Sequence, residues 1–393
     1  MARKLPVKRL IPIMLILAII GLIVITQWAG SVVNTMKQDV VSHAEKELRV
    51  PQYDSIVLTP LWIEHIQEQG FDKPVVGMFG ASTVFGTTVK EAQNTPSGIL
   101  QVHLKDKQVL NLGLSGGRLV ETYAILASVI DKVDFVLYEI NYGILPATDN
   151  DAAVAVYPTL MSKLNQNIPR AWLDGFSRKD KESVPSSVHN AVSTGVLNHW
   201  TLYHDRDALS YRFFKTRSTT EKMRREIQKA RDAKQGVKET YIPPFRAFEK
   251  LKEDQQKNVV KHYKSLYTWE QPFDPNNSFG LFMMEKTLDL LEKHKKQAVF
   301  YTAPLDKQMI AEHNMLEWQD YHKVMGAYQT LIESRSYPFI EFNDEENNLI
   351  PHEYYHDASH LIDDGSTIFG EILYERLKTY GITDTQQGTR KQP

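Results

Sequence analysis

The densest polar cluster in the chain is PHEYYHDASHLIDDG, Pro351 to Gly365, and it supports two chemistries. His352, Glu353 and His356 spell HExxH, which on a helix places two imidazoles on one face for zinc with the glutamate as base. Pro351 allows at most a helix start, the chain turns toward DASH and DDG within a few residues, and no third ligand follows at a zincin spacing. Asp357 and His360 form a DxxH pair, in which one short loop delivers a histidine base and the carboxylate that orients its ring and stabilises imidazolium. A solvated acidic turn is the plain alternative. Such a base needs a nucleophile, and with no cysteine in the chain the covalent candidates are Ser, Thr, Lys, Asp and Glu.

Three apolar runs end in residues that could serve. VVGMF (75–79) leads into Gly80, Ala81, Ser82 and Thr83, so a serine is exposed at a strand's carboxyl end, where open α/β sheets bind ligands. Gly80 lets the chain turn tightly enough to present Ser82 with its amide free, although a helix-capping serine has the same appearance. QVLNLG (108–113) is followed by GLSGG at Gly113 to Gly117, which fits the GxSxG nucleophile elbow and makes Ser115 a competitor. Alternatively Gly116 supplies a backbone N–H to an oxyanion, or the turn is a plain glycine-rich connection. VDFVLYEI (133–140) ends in Asn141, in isolation an ordinary turn residue. Together the Ser82 amide, the Gly116 amide and the Asn141 carboxamide make a donor set of the kind that stabilises a tetrahedral oxyanion by about 3–4 kcal/mol per donor.

The elements that must position these residues follow from periodicity. Short runs rich in β-branched and aromatic residues at Pro74–Phe79, Val109–Leu112, Phe135–Ile140, Ala298–Tyr301 and Phe339–Phe342 read as strands. Helix-length stretches such as Leu119–Ile130, Met284–Leu291 and Tyr321–Ile332 lie between them. Strands alternating with helices predict an α/β sandwich on a parallel sheet. From about Pro146 to Asn276 strand signals are few and charges many, so residues 146–276 read as a helical insertion between two α/β parts, 71–145 and 277–380. Its basic cluster of Lys222, Arg224, Arg225, Lys229, Arg231 and Lys234 is interleaved with Glu221, Glu226 and Asp232. That reads as a solvated helix face or a patch for an anionic polymer. The polar tail, 381–393, is expected to be disordered.

An apolar run from Leu10 to Ile25 extends through Thr26, Gln27, Trp28 and Ala29, long enough for a roughly 30 Å hydrocarbon core. Arg3, Lys4, Lys8 and Arg9 precede it and Trp28 marks its far end. The positive-inside rule therefore puts residues 1–9 in the cytoplasm and everything past the 10–29 anchor outside. A cleaved signal peptide is the rival reading, with small residues at Ala29 to Ser31, but the run exceeds the usual 7–15 residues. The expected localisation is the cell membrane, single-pass, with an extracytoplasmic C-terminal domain reached through a stalk and entry segment of residues 30–70. Absence of cysteine removes disulfides, thiolate metal sites and cysteine-linked lipid anchors, and suits a bacterial surface. The chain is 393 residues long, and its 46 basic and 48 acidic side chains leave a net charge of −2, which disfavours nucleic acid as a partner.

The order Ser82, Gly116, Asn141, Asp357, His360 resembles the SGNH (GDSL-like) hydrolase superfamily: nucleophile after the first strand, oxyanion glycine after the second, oxyanion asparagine after the third and DxxH near the end. The similarity covers about Lys73–Gly143 and Thr302–Leu377. It implies a flavodoxin-like α/β/α sandwich with Ser82 as nucleophile, His360 as general base and Asp357 as its partner. The oxyanion hole would be the Ser82 and Gly116 amides with Asn141, and the implied chemistry needs no cofactor and no metal. Two blocks depart from the pattern: GAS replaces GDS, and INYG stands where simple esterases have GxND, so Tyr142 replaces an acidic residue. With the anchor and the insertion, the chain is similar to the membrane-anchored branch that works on cell-envelope polymers. That branch includes the D-alanine transfer protein of teichoic acid synthesis and polysaccharide O-acetyltransferases. Its implied substrates are acyl esters of an envelope polysaccharide or teichoic acid, and its implied partner is a multi-pass membrane-bound O-acyltransferase. The expected reaction is a double displacement through an acyl-serine, with either a sugar hydroxyl or water as acceptor. A tethered, non-catalytic polymer-binding subunit on the same scaffold is the reading from another class.

Overall fold

The computed structural model describes residues 7–52, 55–150, 155–166, 168–176, 200–214, 242–344 and 348–382. The expected basic cluster at 222–234, the tail past 382, and Arg3 and Lys4 lie outside the described residues. In chain order the main elements are α1 (Val7–Glu47), α2 (Ser55–Glu68), β1 (Val75–Phe79), α3 (Ser82–Phe85), α4 (Pro96–His103), β2 (Gln108–Asn111), α5 (Leu119–Val129), β3 (Phe135–Ile140), α6 (Leu145–Asn150), α7 (Pro158–Lys163), α8 (Arg170–Leu173), α9 (Thr201–His204), α10 (Arg206–Phe214), α11 (Glu253–Leu266), α12 (Phe279–Lys293), β4 (Gln297–Thr302), α13 (Lys307–His313), α14 (Trp318–Ser334), β5 (Phe339–Ile340) and α15 (Asp363–Leu377).

The five strands form one all-parallel sheet in the order β2-β1-β3-β4-β5. Met78 of β1 pairs with Asn111 of β2 on one side and Leu137 of β3 on the other. The chain therefore moves outward from β1 to β2, then returns to the opposite side at β3. That reversal opens a crevice at the carboxyl ends of β1 and β3. Alternate strand residues face opposite ways. Val75, Phe79, Val136, Tyr138 and Phe300 join a core with α2, α5, α12 and α14, whereas Val76, Met78, Leu137, Val299 and Tyr301 pack against α4 and α15. The expected α/β/α sandwich is the observed architecture, and strand residues buried on both faces explain why the runs read as continuously apolar.

Residues 30–68 are not a free-standing stalk. The apolar half of α1 is exposed from Ile11 to Ile20, but beyond it Ala29, Val33, Met36, Val40 and Ala44 are buried at helical spacing against the body. α2 buries Leu61, Ile63 and Ile66 beneath the sheet. The helix α1 is long and apolar enough to cross a membrane, its most apolar window unburied. Within 146–276 the described residues form helices joined by irregular segments and contain no strand, and part of that stretch is core: Tyr263 and Tyr267 are buried beside the site.

The segment after α3 is held from two sides. Arg49, buried just past the end of α1, donates through its guanidinium to the carbonyls of Gly86 (2.6 Å), Val89 (2.9 Å), Lys90 (3.2 Å) and Phe85 (3.3 Å). From the other side the Asp363 carboxylate accepts from the Lys90 and Glu91 amides and the Asn94 side chain, and Thr88 donates to the Leu361 carbonyl. We predict that Arg49→Gln destabilises the protein by about 2–3 kcal/mol, because hydrogen bonds from a buried charged donor are worth about 1.5–3 kcal/mol. Amide exchange should accelerate first in Phe85–Lys90. Unchanged protection there would contradict the role of this arginine.

Candidate functional site

Ser82 is the first residue of α3, directly after Gly80 and Ala81 at the end of β1. A Cβ at Gly80 would lie 2.5 Å from Val84 Cγ2 and 3.0 Å from Glu139 Cβ, so the glycine serves close approach of the turn to β3. It is not among the residues with positive φ, so a left-handed turn is not its reason. The Ser82 amide is one of the unpaired N–H groups of a helix start and has no hydrogen-bond partner among the described residues. Its hydroxyl lies 2.7 Å from His360 Nε2, bridging 278 positions of sequence.

The DxxH loop explains its own spacing. Asp357 Oδ1 accepts from the amides of Ser359 (3.1 Å) and His360 (2.8 Å), so the carboxylate folds the loop that carries its partner. The His360 ring then sets Nδ1 2.9 Å from both carboxylate oxygens, which fixes the proton on Nδ1 and leaves Nε2 free to accept from Ser82. The loop is closed by the His356 amide donating to the His360 carbonyl at 2.7 Å and by a bridge between Tyr355 and Leu361. Tyr263 of α11 adds a donor that the sequence did not disclose, its hydroxyl 2.7 Å from Asp357 Oδ1 and 2.9 Å from His360 Nδ1.

The charges follow from these contacts. Burial pushes the Asp357 carboxyl up, but the His360 charge and hydrogen bond, with help from His356 and Tyr263, hold it well below the usual carboxylate range. Burial pushes the His360 imidazole down, and the Asp357 charge and hydrogen bond, followed by Glu139, outweigh it and raise it. A third group stands beneath them. Glu139 of β3 is 3% exposed, and burial lifts its carboxyl to about 7 against the opposing Thr83 hydrogen bond and His360 charge. Thr83 Oγ1 donates to Glu139 Oε1 and accepts from Asn141 Nδ2 at 3.3 Å.

Asn141 stands at the end of β3 with its carboxamide held at both ends. Its Oδ1 accepts from the Gly143 amide at 2.9 Å, and one Nδ2 proton goes to Thr83. Gly116 adopts φ +73°, and a Cβ there would lie 2.7 Å from the Tyr157 hydroxyl, so only glycine suits the position. Its amide has no hydrogen-bond partner among the described residues. The turn that carries it packs on the serine turn: Leu114 N donates to the Gly80 carbonyl at 3.1 Å, and Thr87 Oγ1 lies 3.3 Å from the Ser82 carbonyl and 3.2 Å from Ser115 Oγ. The structure thus brings Ser82, Asp357 and His360 into one hydrogen-bonded line and sets the Gly116 and Asn141 turns against it. Among the described residues Ser115 meets Thr87 and no histidine, so none of them supplies the base that a GxSxG elbow requires.

The HExxH residues are dispersed. His352 lies on a short 3-10 turn, with Nδ1 2.5 Å from the buried Asp306 carboxylate, while His356 Nδ1 donates to the Arg246 carbonyl at 2.6 Å and Glu353 is exposed. The two imidazoles do not share a helix face, and among the described residues the cluster with metal-ligand proximity is Glu64, His204 and Asp205, into which Lys163 Nζ reaches Asp205 at 2.7 Å. Tyr142, at the position where the resemblance leads one to expect an acidic residue, is buried, and its hydroxyl accepts from Trp269 Nε1 at 3.0 Å.

No family model matches the chain, and no curated protein does. A solved crystal structure aligns over 79% of this chain and 99% of its own, with 11% identity and a TM-score of 0.32. The fold is therefore read from the chain's own sheet order.

Two substitutions test the electrostatics without reference to any reaction. Since Asp357 and Glu139 both favour imidazolium, Asp357→Asn should lower the titration of His360 strongly and Glu139→Gln should lower it by less, followed by imidazole NMR with His360→Ala for assignment. A His360 titration indifferent to both would refute the arrangement.

Proposed function

We propose that the chain is a membrane-anchored serine O-acyltransferase or esterase of SGNH type that works through an acyl-serine on acyl esters of an envelope polysaccharide or teichoic acid. The observation that carries this reading is the line from Ser82 Oγ to His360 Nε2 (2.7 Å) and from His360 Nδ1 to Asp357 (2.9 Å). In the first step Ser82 Oγ attacks the acyl carbonyl while its proton passes to His360 Nε2, and Asp357 stabilises the resulting imidazolium. The tetrahedral oxyanion is received by the unpaired Ser82 and Gly116 amides and the second Nδ2 proton of Asn141. Collapse expels the leaving alcohol, protonated by His360. A sugar hydroxyl or water, deprotonated by the same imidazole, then takes the acyl group and regenerates the serine. The extracytoplasmic setting and a multi-pass O-acyltransferase as the source of acyl groups belong to the same proposal, supported by the apolar, unburied helix at the N-terminus.

The test is labelling by a fluorophosphonate probe and turnover of a chromogenic acetyl ester by the full chain. Ser82→Ala and His360→Ala should each lower turnover by on the order of 10⁴-fold or more, because members of such a line act as a unit. Tyr263→Phe removes one donor to Asp357 and should reduce turnover about tenfold, the equivalent of about 1.4 kcal/mol. Ser115→Ala should leave both readouts unchanged. Loss in Ser115→Ala alone would move the nucleophile to the GLSGG turn, and a folded wild type inert to both reagents would favour the polymer-binding subunit.

Because His360 must be neutral to act as base and its titration is raised, turnover should rise with pH along an acid limb above the ordinary imidazole range. Glu139→Gln should shift that limb to lower pH, and a limb that stays in place would show that Glu139 is not electrostatically coupled to the base.

A further inference from the structure

The aromatic residues beside the upper end of the apolar helix are unusual for a surface. Trp28 of α1 is 53% exposed and its ring stacks on Phe213 of α10 with centroids 5.4 Å apart. Phe213 and Phe214 are 49% and 74% exposed, and Trp200, just before α9, is 40% exposed with its indole Nε1 donating to Thr26 Oγ1 at 3.3 Å. These four rings come from two distant parts of the sequence and meet at one level of α1, directly above the unburied apolar stretch from Ile11 to Val24. Arg212, exposed on α10 next to Phe213, adds a cation beside these rings. Below this level α1 shows apolar side chains all round; above it α1 buries Ala29, Val33 and Met36 in the body.

A globular surface gains nothing from exposing two phenylalanines and two tryptophans side by side in water. Amphipathic aromatic rings with a nearby cation are what the boundary between headgroups and acyl chains accepts, where tryptophan is enriched and where Arg can reach the phosphates. We propose that Trp200, Phe213 and Phe214 join Trp28 in a membrane seat, embedded in the interface of the leaflet from which α1 emerges. The occupant of the patch is lipid. α9 and α10, within the stretch expected as an insertion, thus give the body a second attachment beside α1 and fix its orientation on the bilayer. Continuity decides for lipid over a protein partner: the patch abuts the unburied face of α1, which only a bilayer can cover along its whole circumference. The proposal rests on reading α1 as a membrane span, and it is independent of the chemistry at Ser82.

The absence of cysteine makes the test direct. Single cysteines at Leu17, Val102 and Phe214 of the full chain, each exposed by 60% or more, are spin-labelled in vesicles of phosphatidylglycerol and phosphatidylethanolamine. Accessibility to molecular oxygen, which concentrates in lipid, is compared with accessibility to a water-soluble nickel chelate. The label at 17 should read as lipid, that at 102 as water, and that at 214 as interfacial, with the chelate substantially excluded relative to 102. If 17 reads as lipid and 214 is as open to the chelate as 102, the seat is overturned and the span stands. If 17 itself reads as water, the span fails and the seat with it. A label at 214 shielded from both reagents would place a second copy of the chain over the patch and likewise overturn the lipid seat.

Discussion

The site depends on one constraint: the backbone from Phe85 to Glu91 is gripped on its carbonyl side by Arg49 and on its amide side by Asp363, with Thr88 tied to the Leu361 carbonyl. This segment begins three residues after Ser82, and Leu361 follows His360 directly. The serine turn and the histidine loop are therefore fastened to each other next to the Ser82–His360 hydrogen bond. A parallel sheet alone would not achieve this. It brings the carboxyl ends of β1 and β3 to one crevice, but the DxxH loop follows β5 at the sheet's edge and must be pinned back across it. Since a fraction of an ångström governs whether Ser82 donates to Nε2, the buried charge of Arg49 is a positioning device whose polar contacts are backbone carbonyls on one loop.

Two carboxyl groups flank the imidazole and are kept in different states by what surrounds them. Asp357 receives two backbone amides, a phenol and the ring N–H, and so remains ionised despite its burial. Glu139 receives Thr83 as its side-chain donor in a fully enclosed position, and its carboxyl rises to about 7. The first can orient the ring and carry its countercharge. The second sits one hydroxyl away from the Asn141 carboxamide, so a change in its charge is felt at the imidazole and at that carboxamide together. An aspartate in place of Ala81 would add a further charge at a position that is 1% exposed, close to this already crowded set.

The fold and the hydrogen-bonded line of Ser82, His360 and Asp357 were legible in sequence because both are written in short-range patterns. The strands are short, mostly apolar runs set apart from the helix-length stretches between them, and Asp357 and His360 lie within one loop whose geometry the aspartate itself dictates. Arg49, Glu139 and Tyr263 were not legible. Glu139 left a trace, a lone acid inside an apolar strand buried along its length. Arg49 and Tyr263 left none, because their roles come from contacts to loops 36 to 97 positions away, which no local period encodes. The same reason defeats the stalk reading of 30–70. The buried stripe of Ala29, Val33, Met36, Val40 and Ala44 has small and medium side chains that look unremarkable until the surface receiving them is known.

The two ends of α1 connect these points. Where it spans a bilayer as proposed, the helix leaves the lipid near Trp28 and continues without a break to Glu47, a rise of about 30 Å at 1.5 Å per residue. Arg49 stands two residues further on and holds the segment after the Ser82 turn by four carbonyls. A helix packed along its outer half cannot swing like a tether, so the serine is held at a set distance from the membrane surface instead of sampling a sphere of positions. In the proposed transfer, an acyl donor delivered at the bilayer and an acceptor borne on a long polymer then have to be brought to one fixed place. This geometry suits transfer between two partners that are themselves membrane-bound or wall-bound, since a rigid station needs neither partner to search for a moving site.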